Sequence, residues 1–299
     1  MTSGIPPSAP SRLRSAWLTA LAAVPFVLIA GLLGWNTLSG PGGSADGPAP
    51  HTPSGSVSPD PSDASSKGTD GGRPLAGRTV VIDPGHNPHN AEHAADIARR
   101  VGIGSGRKEC DTTGTATGSG YSEADFTLDV SRRVRTVLEA RGAIVKLTQD
   151  GDRRYGPCVD ERARIGNRAH ADAVVSVHAD GAPAGERGFH VILPGAVRAG
   201  AADTSAVVRP SRVLGERIVG AFARATDSRP AAYAGSGKGL DVRKDLGGLT
   251  LSKVPKVFVE CGNMHNARDA ERLTSAAWRG RAARGISDGV TAFLREQGS

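Results

Sequence analysis

The longest apolar stretch of the chain comes early. AWLTALAAVPFVLIAGLLGW, residues 16–35, is free of charged residues and follows Arg12 and Arg14 in the basic segment 1–15. Twenty such residues can cross a bilayer as a helix, and basic residues ahead of the run favour keeping that end in the cytoplasm. The remainder is therefore expected outside the cell. An uncleaved anchor is preferred because no clear small-x-small site follows; a cleaved signal peptide stays open, since the LSG and GSA neighbourhoods are permissive. The apolar pattern then collapses: Val57 is the only large aliphatic residue between positions 39 and 72. Such a segment cannot bury enough surface to offset chain entropy, so 36–74 reads as a flexible Gly/Pro/Ser linker.

Pattern returns in 75–299, which is expected to form one domain with a core of its own. Short β-branched runs recur at 79–83 (TVVID), 143–147 (AIVKL), 173–178 (AVVSVH), 189–193 (FHVIL) and 256–260 (KVFVE). All except FHVIL are continuous rather than alternating, as in strands covered on both faces. Between most of them lie helical patterns. Ser122-Glu-Ala-Asp125 matches a capping box; Phe126, Val130, Val134, Val137 and Leu138 follow at helical spacing, and Gly142 supplies the stop. Further helices are predicted at 160–170, 208–225, 268–277 and 279–296. Strands alternating with helices imply an α/β fold, a mostly parallel twisted sheet with helices on both faces.

Composition modifies this picture in two respects. A formal charge of +7 suits an anionic partner. Nucleic acid is a poor candidate, because the arginines are dispersed among acids, aromatics make up 4% of the chain and export removes it from the genome. An anionic cell-surface polymer fits better, with simple solubility an equally good account. Export also makes a disulfide reasonable. Cys110 and Cys158 sit in loop-like sequence and are the preferred pair, leaving Cys261, at the end of an apolar strand, as a buried thiol. Nothing in the sequence indicates an oligomeric state.

Candidate chemistry gathers at the strand ends. Reactive groups of open α/β sheets collect beyond the carboxyl ends of the strands, and here TVVID leads to His86, AVVSV to His178 and KVFV to Glu260. Glu123 opens the capped helix and points within about 20° of Val130, toward the sheet. Two imidazoles and a carboxylate form a common catalytic zinc set with a fourth position left to water, whose pKa the metal lowers toward 7. Amide hydrolysis also needs a base for the water proton, and Glu260 stands outside the ligand set to provide it. His89 and His93 are expected to face solvent and His190 to pack; His265 follows Glu260 within reach of substrate, and no function is assigned to any of these four.

These residues carry a resemblance. IDPGH, the inward Glu opening a long helix, RARIGNRAHADAVVSVHAD and VPKVFVECGNMHNARDAERL occur in this order across roughly residues 78–296. The set closely resembles the zinc-dependent N-acetylmuramoyl-L-alanine amidases, peptidoglycan hydrolases with an α/β catalytic domain. The resemblance implies His86, Glu123 and His178 as zinc ligands and Glu260 as the catalytic carboxylate. It further implies cleavage of the amide between the lactyl group of N-acetylmuramic acid and L-alanine, in peptidoglycan or muropeptides. Two departures bear on substrate contacts: NPHN follows PGH where many relatives have a Gly-rich acidic turn, and Asp180 stands where many have Asn. The long segment 90–120 suggests a lid or specificity loop. Asp83 is either an acceptor that orients His86 or simply a turn cap at the strand end; Arg162 and Asn167 read as strand support, and Arg243 as a substrate-contact candidate or part of a surface turn. Two rivals share the pattern: a non-catalytic wall-binding or regulatory module, and a zinc peptidase cutting within the stem peptide.

Overall fold

The structure is a computed structural model that describes residues 73–298. The expected anchor at 16–35 and almost all of the expected linker lie outside the described residues. Among the described residues no helix is long and apolar enough to cross a membrane.

Six strands form the central sheet: β1 (Thr79–Pro84), β4 (Ile144–Leu147), β5 (Ala173–Asp180), β6 (His190–Pro194), β9 (Leu240–Arg243) and β10 (Lys256–Asn263). Their order is β4-β1-β5-β10-β6-β9. β1 pairs parallel with β4 and β5, and β10 parallel with β5. β6 runs antiparallel to β10 and carries β9 parallel beside it. Two small hairpins, β2–β3 (Arg100–Gly102, Arg107–Glu109) and β7–β8 (Arg198–Ala199, Ala202–Asp203), stand apart from this sheet.

Helices α2 (Glu123–Ala140), α4 (Val208–Thr226) and α7 (Ala276–Glu296) cover one face. Strand alternation assigns the contacts. Val80, Ile82, Val175 and Val177 enter the main core with Phe126, Val130, Leu214, Phe222, Trp278 and Ile286, whereas Val81 and Val174 join Ile165 in a smaller cluster on the other face. Among the described helices, α3 (Val159–Arg168) and the single-turn α5 (Gly247–Thr250) lie against that second face. The short helices α1 (Ala94–Ile97) and α6 (Ala267–Thr274) complete the domain. Thin cover on this face leaves room for a cleft at the strand ends.

Two expectations about strand cover are reversed. AIVKL becomes the edge strand β4, with Ile144 55% exposed. FHVIL, read as the more alternating run, supplies β6, every residue of which is buried, since α4 and α5 pack against it and β9 pairs along its outer edge. The predicted helix ends hold to within a few residues, except that Ser275 divides the last two and caps α7 through its hydroxyl.

Candidate active site

β1 ends in Asp-Pro-Gly-His, and the glycine is required by close approach. A Cβ on Gly85 would fall 2.3–2.7 Å from three atoms of the His178 ring, inside any tolerable contact. His86 follows with φ 61°, the left-handed region that a β-carbon disfavours. Its carbonyl is pinned by Arg162 Nη2 at 2.8 Å and Gln149 Nε2 at 3.1 Å. Its Nδ1 donates to the Thr112 carbonyl at 3.0 Å; a carbonyl can only accept, so this contact fixes the ring's tautomer and leaves Nε2 facing the cleft.

Glu123 stands at the first position of α2, where the Ser122 hydroxyl accepts the Asp125 N–H at 3.1 Å and sets the helix start. Its carboxylate is buried, 5% exposed. Oε1 lies 3.1 Å from His86 Nε2 and 2.9 Å from His178 Nδ1 and accepts the Ala179 N–H, while Oε2 accepts the Thr115 N–H at 3.0 Å. One ligand atom from each of His86, Glu123 and His178 therefore falls within 4.8 Å of the others. Burial alone would raise the Glu123 pKa, but the two imidazoles outweigh it and hold the carboxyl well below the ordinary range. Burial likewise disfavours a charged His86, yet Glu123 and Asp111 dominate and push it up to about 10.

His178 leaves β5 on the thinly covered face and stacks flat on Phe258, with ring centroids 5.0 Å apart and planes 1° from parallel. Glu260 lies opposite it in the β10 register. Its carboxylate accepts no hydrogen bond from any described residue, and Glu260 lines a cleft of about 320 Å³ with His86, Glu123, His178, Arg243 and Phe258. Desolvation, with Glu123 and Asp180 nearby, raises its pKa well above the usual carboxylate value. A second cleft of about 430 Å³ shares His86, His178 and Phe258 and is bordered by Arg100 and Lys108 of the β2–β3 hairpin.

Asp83 does not touch His86, contrary to the first of its two expected roles. Strand alternation turns it beneath the cleft, where it meets Arg162 at 2.8 Å, Lys256 Nζ at 2.8 Å and the Thr148 and Ser176 hydroxyls. Arg162 completes the path, binding the His86 carbonyl and, at 2.9 Å, Asp111. Asp111 in turn faces His86 Nδ1 at 3.6 Å. The pair Cys110–Cys158 is bonded as expected and fixes Asp111 and Thr112 to the start of α3; Cys261 is a buried free thiol.

Segment 90–120 thus supplies supporting contacts that the sequence left unassigned, through Asp111, Thr112 and Thr115. His265 Nε2 meets the Thr115 hydroxyl at 2.9 Å and so reaches the Glu123 side of the site through Thr115. Arg243 borders the cleft while paired with Asp245. Asn167 bonds to the backbone of Leu251 and Lys253, a structural role. His89 is exposed and His190 is buried in β6, whereas His93 is half-buried against Asp96 and Tyr155 rather than in solvent.

Residues 80–292 match the protein family described as N-acetylmuramoyl-L-alanine amidase. The N-acetylmuramoyl-L-alanine amidase Rv3717 of Mycobacterium tuberculosis is 41% identical over 229 residues, which span 75% of this chain and 89% of that protein. Among solved structures, the N-acetylmuramyl-L-alanine amidase Ami1 of Mycobacterium smegmatis aligns with a TM-score of 0.68 at 40% identity, covering 75% of this chain and 99% of its own. The apo form of Ami1 from Mycobacterium abscessus gives 0.67 at 40% identity, covering 74% and 100%.

Proposed function

The chain belongs to the N-acetylmuramoyl-L-alanine amidase family, and from that membership we propose that His86, Glu123 and His178 hold one zinc ion beside Glu260, the proton carrier of the reaction. It is an amide hydrolase of peptidoglycan, cutting between N-acetylmuramic acid and L-alanine. The observation that supports the metal assignment is the convergence of two imidazoles on a single carboxylate oxygen, at 3.1 and 2.9 Å. The donor set fits the group: His₂Glu is a catalytic zinc set with a position to spare, and the Thr112 carbonyl already orients one imidazole in the way second-sphere partners do. Zinc bound there supplies Lewis-acid polarisation to water and to the scissile carbonyl.

The chain's own residues account for the rest. Glu260 faces the cleft with no hydrogen-bond donor engaged and a raised proton affinity, properties that suit taking a proton from water and passing it to the departing amine of L-alanine. Phe258 covers one side of the His178 ring and excludes water from it. Thr115 and Ala179 hold the Glu123 carboxylate through their backbone N–H groups. Action outside the membrane accords with a wall substrate and with the apolar run at 16–35.

The test pairs metal analysis with product mass on a defined muramoyl peptide. One zinc per chain and an intact peptide with L-alanine at its amino end are expected. Products cut within the stem peptide would instead indicate a peptidase. In Glu260→Gln, turnover should fall by about 10²- to 10⁴-fold with zinc content and folding retained. A fully active, zinc-loaded Gln variant would remove Glu260 from the mechanism.

A further inference from the structure

Away from the cleft, the outer side of the helical layer bears an arginine-lined groove to which the amidase reaction gives no role. Helices α4 and α7 approach closely because two glycines face α4. A Cβ on Gly285 would lie 2.8 Å from Phe222 Cα, and one on Gly289 would lie 2.5 Å from Ile218 Cα. The contact leaves a shallow channel of about 350 Å³ between the helices, edged by Arg224, Arg281 and Arg284. Arg284 also borders a second channel of about 470 Å³ between α7 and α2, which adds Arg133 and Arg141. Among the described residues two acids engage these arginines, Asp288 paired with Arg141 and Asp129 paired with Arg133, so Arg224, Arg281 and Arg284 carry the unneutralised charge. Arg224, Arg281 and Arg284 are exposed, and no carboxylate among the described residues pairs with them.

Helix stability accounts for only part of this placement. Arg224 stands in the last turn of α4, where the macrodipole favours a cation, whereas Arg281 and Arg284 lie beyond the first turn of α7, where that field has decayed and neither helps nor opposes them. All five groups are arginines, whose planar forks match phosphate oxygens better than a lysine ammonium does. The face also lacks apolar side chains that could enter a bilayer: Ile144 and Val242, the exposed large hydrophobic residues among those described, lie in β4 and β9. A concave channel between helices suits a strand laid along it rather than a planar headgroup surface.

We propose that the α4–α7–α2 groove system binds a linear phosphate-bearing polymer of the cell wall, holding the enzyme on its substrate layer while the cleft remains free. The location in the wall rests on the amidase reading above; the charge complementarity does not.

The test uses the full-length chain in detergent, with long-chain inorganic polyphosphate as probe. Arg224→Gln/Arg281→Gln/Arg284→Gln should weaken polyphosphate binding at least ~10-fold. It should also flatten the dependence of log affinity on log salt by about 2, at ~0.7 per lost phosphate contact. Hydrolysis of a soluble muramoyl peptide should be unchanged in the same preparation. Unaltered polyphosphate affinity in the triple variant would overturn the proposal. An equal loss from Arg198→Gln/Arg209→Gln/Arg212→Gln would overturn it too, since the effect would then follow overall charge. Polyglutamate bound as tightly as polyphosphate would refute phosphate selectivity, and an equal loss on phosphatidylglycerol vesicles would reassign the face to membrane. Failure of both proteins to hydrolyse the muramoyl peptide would strike the amidase reading and leave the binding result intact.

Discussion

At the scale of single residues, the site depends as much on what is missing as on what is present. Gly85 has no side chain where the His178 ring passes, and the ring could not lie against Phe258 if a methyl group stood there. Gly85→Ala should therefore keep the fold but tilt His178, lowering zinc affinity by about 10- to 100-fold, as disturbed second-sphere contacts do. A competition titration against a zinc chelator measures this, and wild-type affinity would show that the ring tolerates the displacement. Position along the chain made His86, His178 and Glu260 legible, because each ends a strand, and Glu123 legible because it opens a capped helix on the inward side. The supports were not. Thr112, Thr115, Phe258 and Lys256 act on partners far away in sequence, and no local pattern marks which carbonyl will meet an imidazole. Asp83 illustrates the limit: its proximity to His86 in sequence suggested direct contact, but strand alternation turns it to Arg162 and Lys256 instead.

Among elements, α2 has a double task, filling the core and presenting Glu123. Its start is fixed by the Ser122 hydroxyl on the Asp125 N–H. Ser122→Ala should cost about 1 kcal/mol of unfolding free energy, read from denaturant melts; a change below about 0.3 kcal/mol would mean that packing alone sets the helix start. The disulfide does comparable work for segment 90–120, closing 48 residues of separation between the hairpin side of the cleft and α3. Replacing both cysteines by Ala should lower stability by about 3 kcal/mol. Helices were legible because amphipathic spacing and caps are local. Strand cover was less so: continuous apolar sequence cannot distinguish an edge from an interior strand, which is why β4 appears half-exposed and β6 fully buried. β9 escaped notice since LDVR is short and only its pairing with β6 makes it a strand.

On the scale of the whole molecule, His86 is held from below by one buried ionic cluster that spans β1, α3, β10 and the loop after β3. Asp83 and Asp111 face Arg162, Lys256 faces Asp83, and all four side chains are nearly inaccessible to water. Removing one member strands a buried charge, so the cluster acts as a unit. Its acids also tie stability to pH. Burial opposes ionisation of Asp111, but Arg162 and His86 overcome it and bring the carboxyl from 3.8 to about 2. Asp83 is held lower still, chiefly by Lys256 and Arg162 acting against the cost of burial. A folded-state pKa below the unfolded value means that the unfolded chain takes up protons first as pH falls. The stabilisation is then complete above about pH 4 and is lost as pH drops through about 2. For Asp111 the difference amounts to about 2 kcal/mol. Chelator-treated protein should accordingly show a steep fall in unfolding free energy between about pH 4 and 2, and Asp111→Asn, less stable at neutral pH, should show a shallower one. The difference between the two curves isolates this carboxyl from the metal ligands, which titrate in both proteins. Parallel curves over that interval would mean that Asp111 holds its proton equally well folded and unfolded, and the ionic path from Arg162 to His86 would then contribute nothing to stability through this carboxyl.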